Sequence, residues 1–417
     1  MVGHARWLLW EGYSDGYVHH PQDYSLAGRL GVYFFSLFKY GHEAVLFFFV
    51  LSGFVIHLRY ARQLAPPGAA GVHFGWGAFV WRRARRLYPP LLAAILLSFC
   101  LDSWGQWHGL PIYFQNTPYP NINENIVPHL GWATLGGNLA FLMQTYVPAF
   151  GTDGPLWSLK YEWWFYMLYP LFWWLSKRSW MGATAVLTLL FGASFWPQLW
   201  PLRLLQQVFS AMLIWWLGVL LADVYAGRVR LARKVPLVGG PGLPMKSGGG
   251  PPPGGPPSAA SVPRVLELAA GLPPSLAGSE ARRHHRGSWA AVAAVATGLG
   301  VAVWALAAGG RSLAIGCGFA ALLALGFELE GRGWPLRWLA KLKPLGDMSY
   351  TLYVTHFPVL VLLSGWLMSR HPEGVLPRHF GWVWAGMSLT LVLAYGLHFI
   401  VERPFLSRAA GTRKHAA

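Results

Sequence analysis

Long apolar runs alternate with short polar segments along this chain, and most runs approach the roughly 20 residues that cross a bilayer's hydrocarbon core. The pattern predicts spans at Ala44–Leu58, Trp81–Leu101, Pro155–Leu175, Trp180–Trp196, Leu204–Tyr225, Trp289–Ala308, Leu313–Phe327, Met348–Met368 and Trp382–Val401, about nine in all. Residues 1–10 read as the end of an apolar segment. Glu11–Tyr40 mixes charge with aromatic residues and reads as a long interfacial loop, and Asp102–Gly131 reads as another loop. Trp132–Phe150 carries Asn138 and Gln144 in its middle, which suits a re-entrant or interfacial helix better than a span. The fold class expected is all-α, a polytopic helical bundle integral to a membrane.

Composition agrees. Hydrophobic residues make up 54% of the 417 and charged residues only 12%, with 24 Trp, which excludes a large soluble domain. The net charge of +17 invites a nucleic-acid reading, but Lys and Arg cluster between apolar runs. That is the positive-inside pattern, which speaks for orientation and not for DNA or RNA. It places His57, Arg59 and Arg62 at a cytoplasmic end, as it does Lys177 and Arg178, Arg228–Lys234, Arg332–Lys343 and the C-terminus. Counting crossings from that end implies one further helix before His4, and no signal peptide is visible. Residues 235–287 are rich in Gly and Pro and read as a disordered cytoplasmic linker. They divide a membrane domain into residues 1–234 and 288–405, with a basic tail at 406–417. Cys100 and Cys317 lie in apolar runs and indicate neither a disulfide framework nor a metal site.

Candidate chemistry begins with Pro155–Leu175, where Ser158 and Glu162 stand one helical turn apart on one face. A carboxylate in such a segment costs about 2.5 kcal/mol or more facing lipid, so it marks a protein interior or a water-filled cavity. The competing reading makes Glu162 an interfacial residue eased by water and the Asp153 loop. Arg82, Arg83, Arg85 and Arg86 stand at the mouth of a span beside Tyr88. Guanidinium groups bind phosphates bidentately, and they equally anchor a helix on anionic lipid. His356 falls in mid-span with Tyr350 and Tyr353 at helical spacing, and His4 at the edge of the first apolar segment. No phosphate-binding glycine loop of the Walker type follows a strand, which argues against a nucleotide-hydrolysing domain.

Five segments, in this order, resemble the acyltransferase 3 family of membrane O-acyltransferases, which act on surface polysaccharides, lipopolysaccharide and some antibiotics. GHEAVLFFFVLSGFVI (Gly41–Ile56) is similar to its second helix, and RRARRLYP (Arg82–Pro89) to its paired-arginine motif, Arg83 and Arg86 fitting the spacing. WSLKYEWWFYMLYP, GDMSYTLYVTHFP (Gly346–Pro358) and VERPF (Val401–Phe405) resemble its remaining signatures. The resemblance implies an acyl-CoA co-substrate with no bound cofactor, a carbohydrate or glycolipid acceptor, and a bacterial inner membrane. His4 matches the family's catalytic histidine, while the arginine that should precede it by ten intervening residues has no position here. On this reading His4 is the general base, Glu162 and Ser158 assist it, and Arg82, Arg83 and Arg86 hold the acyl-CoA phosphates. Tyr350, Tyr353, His356 and Ser52 shape the pocket. Two other classes stay open: a transporter or flippase, which intramembrane polar groups also suit, and a non-catalytic membrane partner.

Overall fold

The computed structural model describes residues 1–12, 16–64, 73–229, 292–293, 295–300, 310–332, 334, 341–371 and 373–405. The helices, in chain order, are α1 (Val2–Leu8), α2 (Leu26–Ser36), α3 (Gly41–Leu64), α4 (Trp76–Trp107), α5 (Pro120–Asn125), α6 (Trp132–Leu139) and α7 (Trp157–Arg178). They continue with α8 (Trp180–Ala193), α9 (Arg203–Tyr225), α10 (Arg311–Gly331), α11 (Lys343–Asp347), α12 (Ser349–Ser369) and α13 (Gly381–Leu397). A π-helical turn, His398–Glu402, and a 3-10 turn, Arg403–Phe405, follow α13. Among the described residues there is no strand, only the isolated bridges His129–Gly151 and Met143–Val147. The protein is all-helical, as expected.

Among the described residues, six helical stretches are long and apolar enough to cross a membrane: α3, α4, α9, Arg311–Glu330, α12 and Gly381–Phe405. The protein is an integral membrane protein. Two further expected spans form helices of another kind. α7 has the length but is aromatic and carries Lys160 and Glu162, and α8 is apolar but only 14 residues long. The expected span Trp289–Ala308 lies largely outside the described residues, as do the linker at 235–287 and the tail at 406–417.

Glu11–Tyr40 is not a loop. It holds an 11-residue helix, α2, which begins where the Ser25 hydroxyl accepts the Gly28 backbone N–H at 3.2 Å. Serine at that position is a strong start signal. Gly28, Val32 and Phe35 then recur at helical spacing as its buried face. Nor does the fourth helix stop at Leu101: α4 runs on to Trp107 and takes Asp102 inside with it.

The described residues fall into two compact units. The first comprises Met1–Leu51, His73–Trp216 and Pro344–Arg408. Its central element is α12, buried on nearly every side, with α4 and α13 along it and α1 against its middle. Ala5, Leu8 and Leu9 of α1 pack there with Val32, Phe35, Ile112, Phe357, Leu360, Val361 and Val383. A helix enclosed all round has no water for its polar side chains, so a polar group there that lacks a protein partner is costly.

The second unit contains the described residues of Ser52–Val72 and Leu217–Lys343. Phe54 packs there on Phe327 and Tyr225, at ring separations of 5.1 and 5.7 Å. His57, expected at a cytoplasmic end, is fully buried and bonds Asp223 at 2.8 Å, while Arg228 bridges the same carboxylate at 3.0 Å.

Candidate active site

The first unit brings most of the predicted residues onto four helices: His4 on α1, the arginines on α4, Ser158 and Glu162 on α7, and Tyr350, Tyr353 and His356 on α12. Ser52 is a buried residue of α3 that belongs to the second unit.

Around His4 the surroundings are aromatic. Its ring lies 5.2 Å from that of His356 and 4.9 Å from Phe357, both edge-on, and 6.5 Å from Trp7. The tautomer of His356 follows from its partners. Nδ1 stands 2.8 Å from the Tyr353 carbonyl oxygen and 3.1 Å from that of Leu352. Carbonyls only accept, so Nδ1 carries the proton and, in the neutral ring, Nε2 carries the lone pair. That Nε2 is buried with no partner among the described residues, and so is Nδ1 of His4.

Ser158 and Glu162 lie one above the other on α7, 5% and 4% exposed, and bond Tyr353 and Tyr166. The Tyr353 hydroxyl has one proton, and the Pro155 carbonyl, 2.8 Å away, takes it. It therefore accepts from Ser158, 2.7 Å off, which commits the serine proton to tying α7 to α12. Glu162 instead accepts the Tyr166 hydroxyl one turn on, and faces Arg86 and Arg83 electrostatically. The two predicted assistants of His4 thus serve the joint between helices and the arginines.

The arginines are half-buried along α4. Arg83 lies over the rings of Phe79 and Tyr166, at 5.4 and 5.5 Å. Arg86 faces Tyr166, Glu162, Glu402 and Tyr350. Arg86 thus lies in the field of two buried carboxylates, Glu162 and Glu402, and Arg83 in that of Glu162. The neighbouring Arg85 donates to the Phe405 carbonyl at 3.1 Å.

Glu402 was visible in sequence only as part of the VERPF segment, with no role of its own. It sits 4% exposed in the π-helical turn after α13. Its Oε2 accepts the Thr351 hydroxyl at 2.7 Å and the Thr351 N–H at 3.4 Å, and lies 3.1 Å from His398 Nδ1. It therefore holds the first turn of α12, where Tyr350 begins the aromatic face.

A second polar group escaped the sequence reading because both its acids lie in segments read as loop. Asp102 is fully buried, its two oxygens accepting the N–H of Thr152 at 2.7 Å and its hydroxyl at 3.0 Å. Burial first, and the Asp102 charge second, push the neighbouring Asp153 carboxyl well above the usual range. The same causes raise the Tyr113 phenol. Ahead of this loop, Asn138 bonds the Thr134 and Pro148 carbonyls at 2.8 and 2.9 Å and accepts the Phe150 N–H at 3.1 Å. The segment expected as a re-entrant or interfacial helix is thus the short α6 followed by a pinned reversal with Phe141 and Gln144 at positive φ. Lys160, 2% exposed, was also missed; it donates to Thr145 Oγ1 at 2.9 Å and Gln207 Oε1 at 2.8 Å.

The arrangement therefore offers two adjacent imidazoles at one place and arginines near buried carboxylates at another. A profile described as an acyltransferase domain matches residues 17–399. No curated protein and no solved structure matches significantly. That match spans nearly the whole chain, every signature segment but His4 and VERPF lies within it, and the chain accordingly belongs to the acyltransferase 3 family.

Proposed function

We propose that this membrane acyltransferase is an O-acyltransferase that moves an acyl group, acetyl in the simplest case, from acyl-CoA to a hydroxyl of a carbohydrate or glycolipid. His4 is the general base. A hydroxyl is a poor nucleophile until its proton is taken in the transition state, and a neutral imidazole, with a lone pair to accept it, suits that task. The single observation that carries this reading is the pair of buried, unpartnered histidine nitrogens on rings 5.2 Å apart. Such groups persist where chemistry requires them. As the hydroxyl oxygen bonds the thioester carbon, the C–S bond breaks, and the proton held by His4 passes to the departing thiolate. Arg82, Arg83 and Arg86 bind the CoA phosphates. The positive-inside pattern supports a cytoplasmic side for their end of α4 and for the C-terminus, and the membrane proposed is a bacterial inner membrane.

The test is transfer of label from radiolabelled acetyl-CoA to endogenous glycan in membranes holding the protein. Incorporation that His4→Ala reduces by at least about 10²-fold supports the reading. Intact protein in the membrane with incorporation unchanged by His4→Ala removes His4 from the chemistry. No incorporation with any acyl-CoA or glycan returns the transporter class.

A further inference from the structure

We propose that His356 is the positioning residue of His4: its Nε2 accepts a hydrogen bond from His4 Nδ1–H and so fixes the tautomer in which His4 Nε2 is the base. The inference rests on the reading of His4 as the base and adds what orients it.

Three observations meet here. First, the proton on His356 is placed by its surroundings. Two carbonyls of its own helix lie at 2.8 and 3.1 Å from Nδ1, so Nε2 has the lone pair. Second, that acceptor is enclosed: His356 is 1% exposed and Nε2 has no partner among the described residues. Third, the one other orphaned imidazole nitrogen in the described residues, His4 Nδ1, belongs to the ring beside it. The rings are edge-on at 73° with centroids 5.2 Å apart. At that separation imidazole nitrogens turned toward one another stand about 3 Å apart, which is hydrogen-bond distance, so rotation of the His4 ring toward the fixed His356 closes the bond.

The consequence is a chain of fixed roles. The carbonyls of Leu352 and Tyr353 set His356, and His356 sets His4. The same logic governs any nucleophile–base pair whose base is oriented by a third group. When His4 Nε2 takes the acceptor's proton, the imidazolium keeps its Nδ1–H on His356. A neutral acceptor stabilises that cation less than a carboxylate would, so the proton returns readily to the departing thiolate. Phe357 and Trp7 lie beside the His4 ring, at 4.9 and 6.5 Å between centroids.

The experiment compares His356→Gln, His356→Phe and His4→Ala in membranes, with kcat and KM for acetyl-CoA measured separately. Glutamine's carbonyl oxygen can accept the His4 N–H; phenylalanine keeps the volume and cannot. We expect His356→Phe to lower kcat by about 10²-fold with KM within about twofold, and His356→Gln to restore kcat to within about tenfold of wild type. Equal losses in the Gln and Phe variants, or full activity of His356→Phe beside a dead His4→Ala, overturn the dyad while leaving His4 as the base. An active His4→Ala overturns the underlying reading instead. A measurement free of His356 variants guards against misfolding. In protein labelled with 15N-histidine, His4→Ala should shift the Nε2 resonance of a ring protonated on Nδ1, and the absence of that shift overturns the proposal.

Discussion

Glu402→Ala removes a buried carboxylate at the joint between the end of α13 and the start of α12. Three donors converge on its Oε2: the Thr351 hydroxyl at 2.7 Å, His398 Nδ1 at 3.1 Å and the Thr351 N–H at 3.4 Å. The last is too long to count for much. A hydrogen bond to a charged group contributes about 1.5–3 kcal/mol, and the truncation also strands Thr351 and His398, both buried, beside Arg86. Breaking one side of a buried charged contact costs about 3–5 kcal/mol, and that is the expected loss. Glu402→Gln keeps an acceptor oxygen and the volume but gives up the charge, for about 1–2 kcal/mol. At about 2 °C per kcal/mol, the two variants should melt about 6–10 °C and about 2–4 °C below wild type. Tryptophan fluorescence of the detergent-solubilised protein reads both. The reasoning fails if the Ala variant melts within about 1 °C of wild type. It also fails if Gln costs as much as Ala, because the acceptor oxygen and volume that Gln retains would then contribute nothing.

Two further outcomes follow from the Asp102 loop. Gly151 has φ +62° and accepts the His129 N–H, and a Cβ there would strike Asp102 Oδ2 and come within 2.8 Å of Ser98 Cβ. Gly151→Ala should therefore cost about 1–2 kcal/mol for the left-handed backbone alone, and more for displacing Asp102; a melting temperature equal to wild type refutes it. Asp153 carries a carboxyl whose pKa burial has raised, so ionising it costs the folded state. Asp153→Asn should match wild type below about pH 4 and be increasingly more stable than it as pH rises above that value. A stability difference that does not change with pH contradicts the burial argument.

What the sequence determined by itself is the class of molecule and the local helices. Runs of apolar residues near the bilayer's thickness dictate helices, because an unpaired backbone has no place in hydrocarbon. The signature segments, in order, identify the family. Helix spacing alone placed Ser158 beneath Glu162, and Tyr350 and Tyr353 beside His356, since those pairings depend only on local periodicity. The misreadings also had local causes. Ser25 started a helix inside a segment judged by its charges, and Asp102 was counted as loop because charge outweighed the continuing helix.

Pairings across helices were decided only by the tertiary structure. Ser158 and Glu162 are adjacent to His4 in no register of the sequence, and in space they serve Tyr353 and the arginines. Glu402 meets Thr351 over 51 residues, and His4 meets His356 across the length of the chain. Hydrophobic pattern says which face of a helix turns inward; it carries no information about which other face it will meet. That choice is made by the packing of whole helices, and here it turned a scatter of polar residues into one histidine pair and one balanced charge cluster.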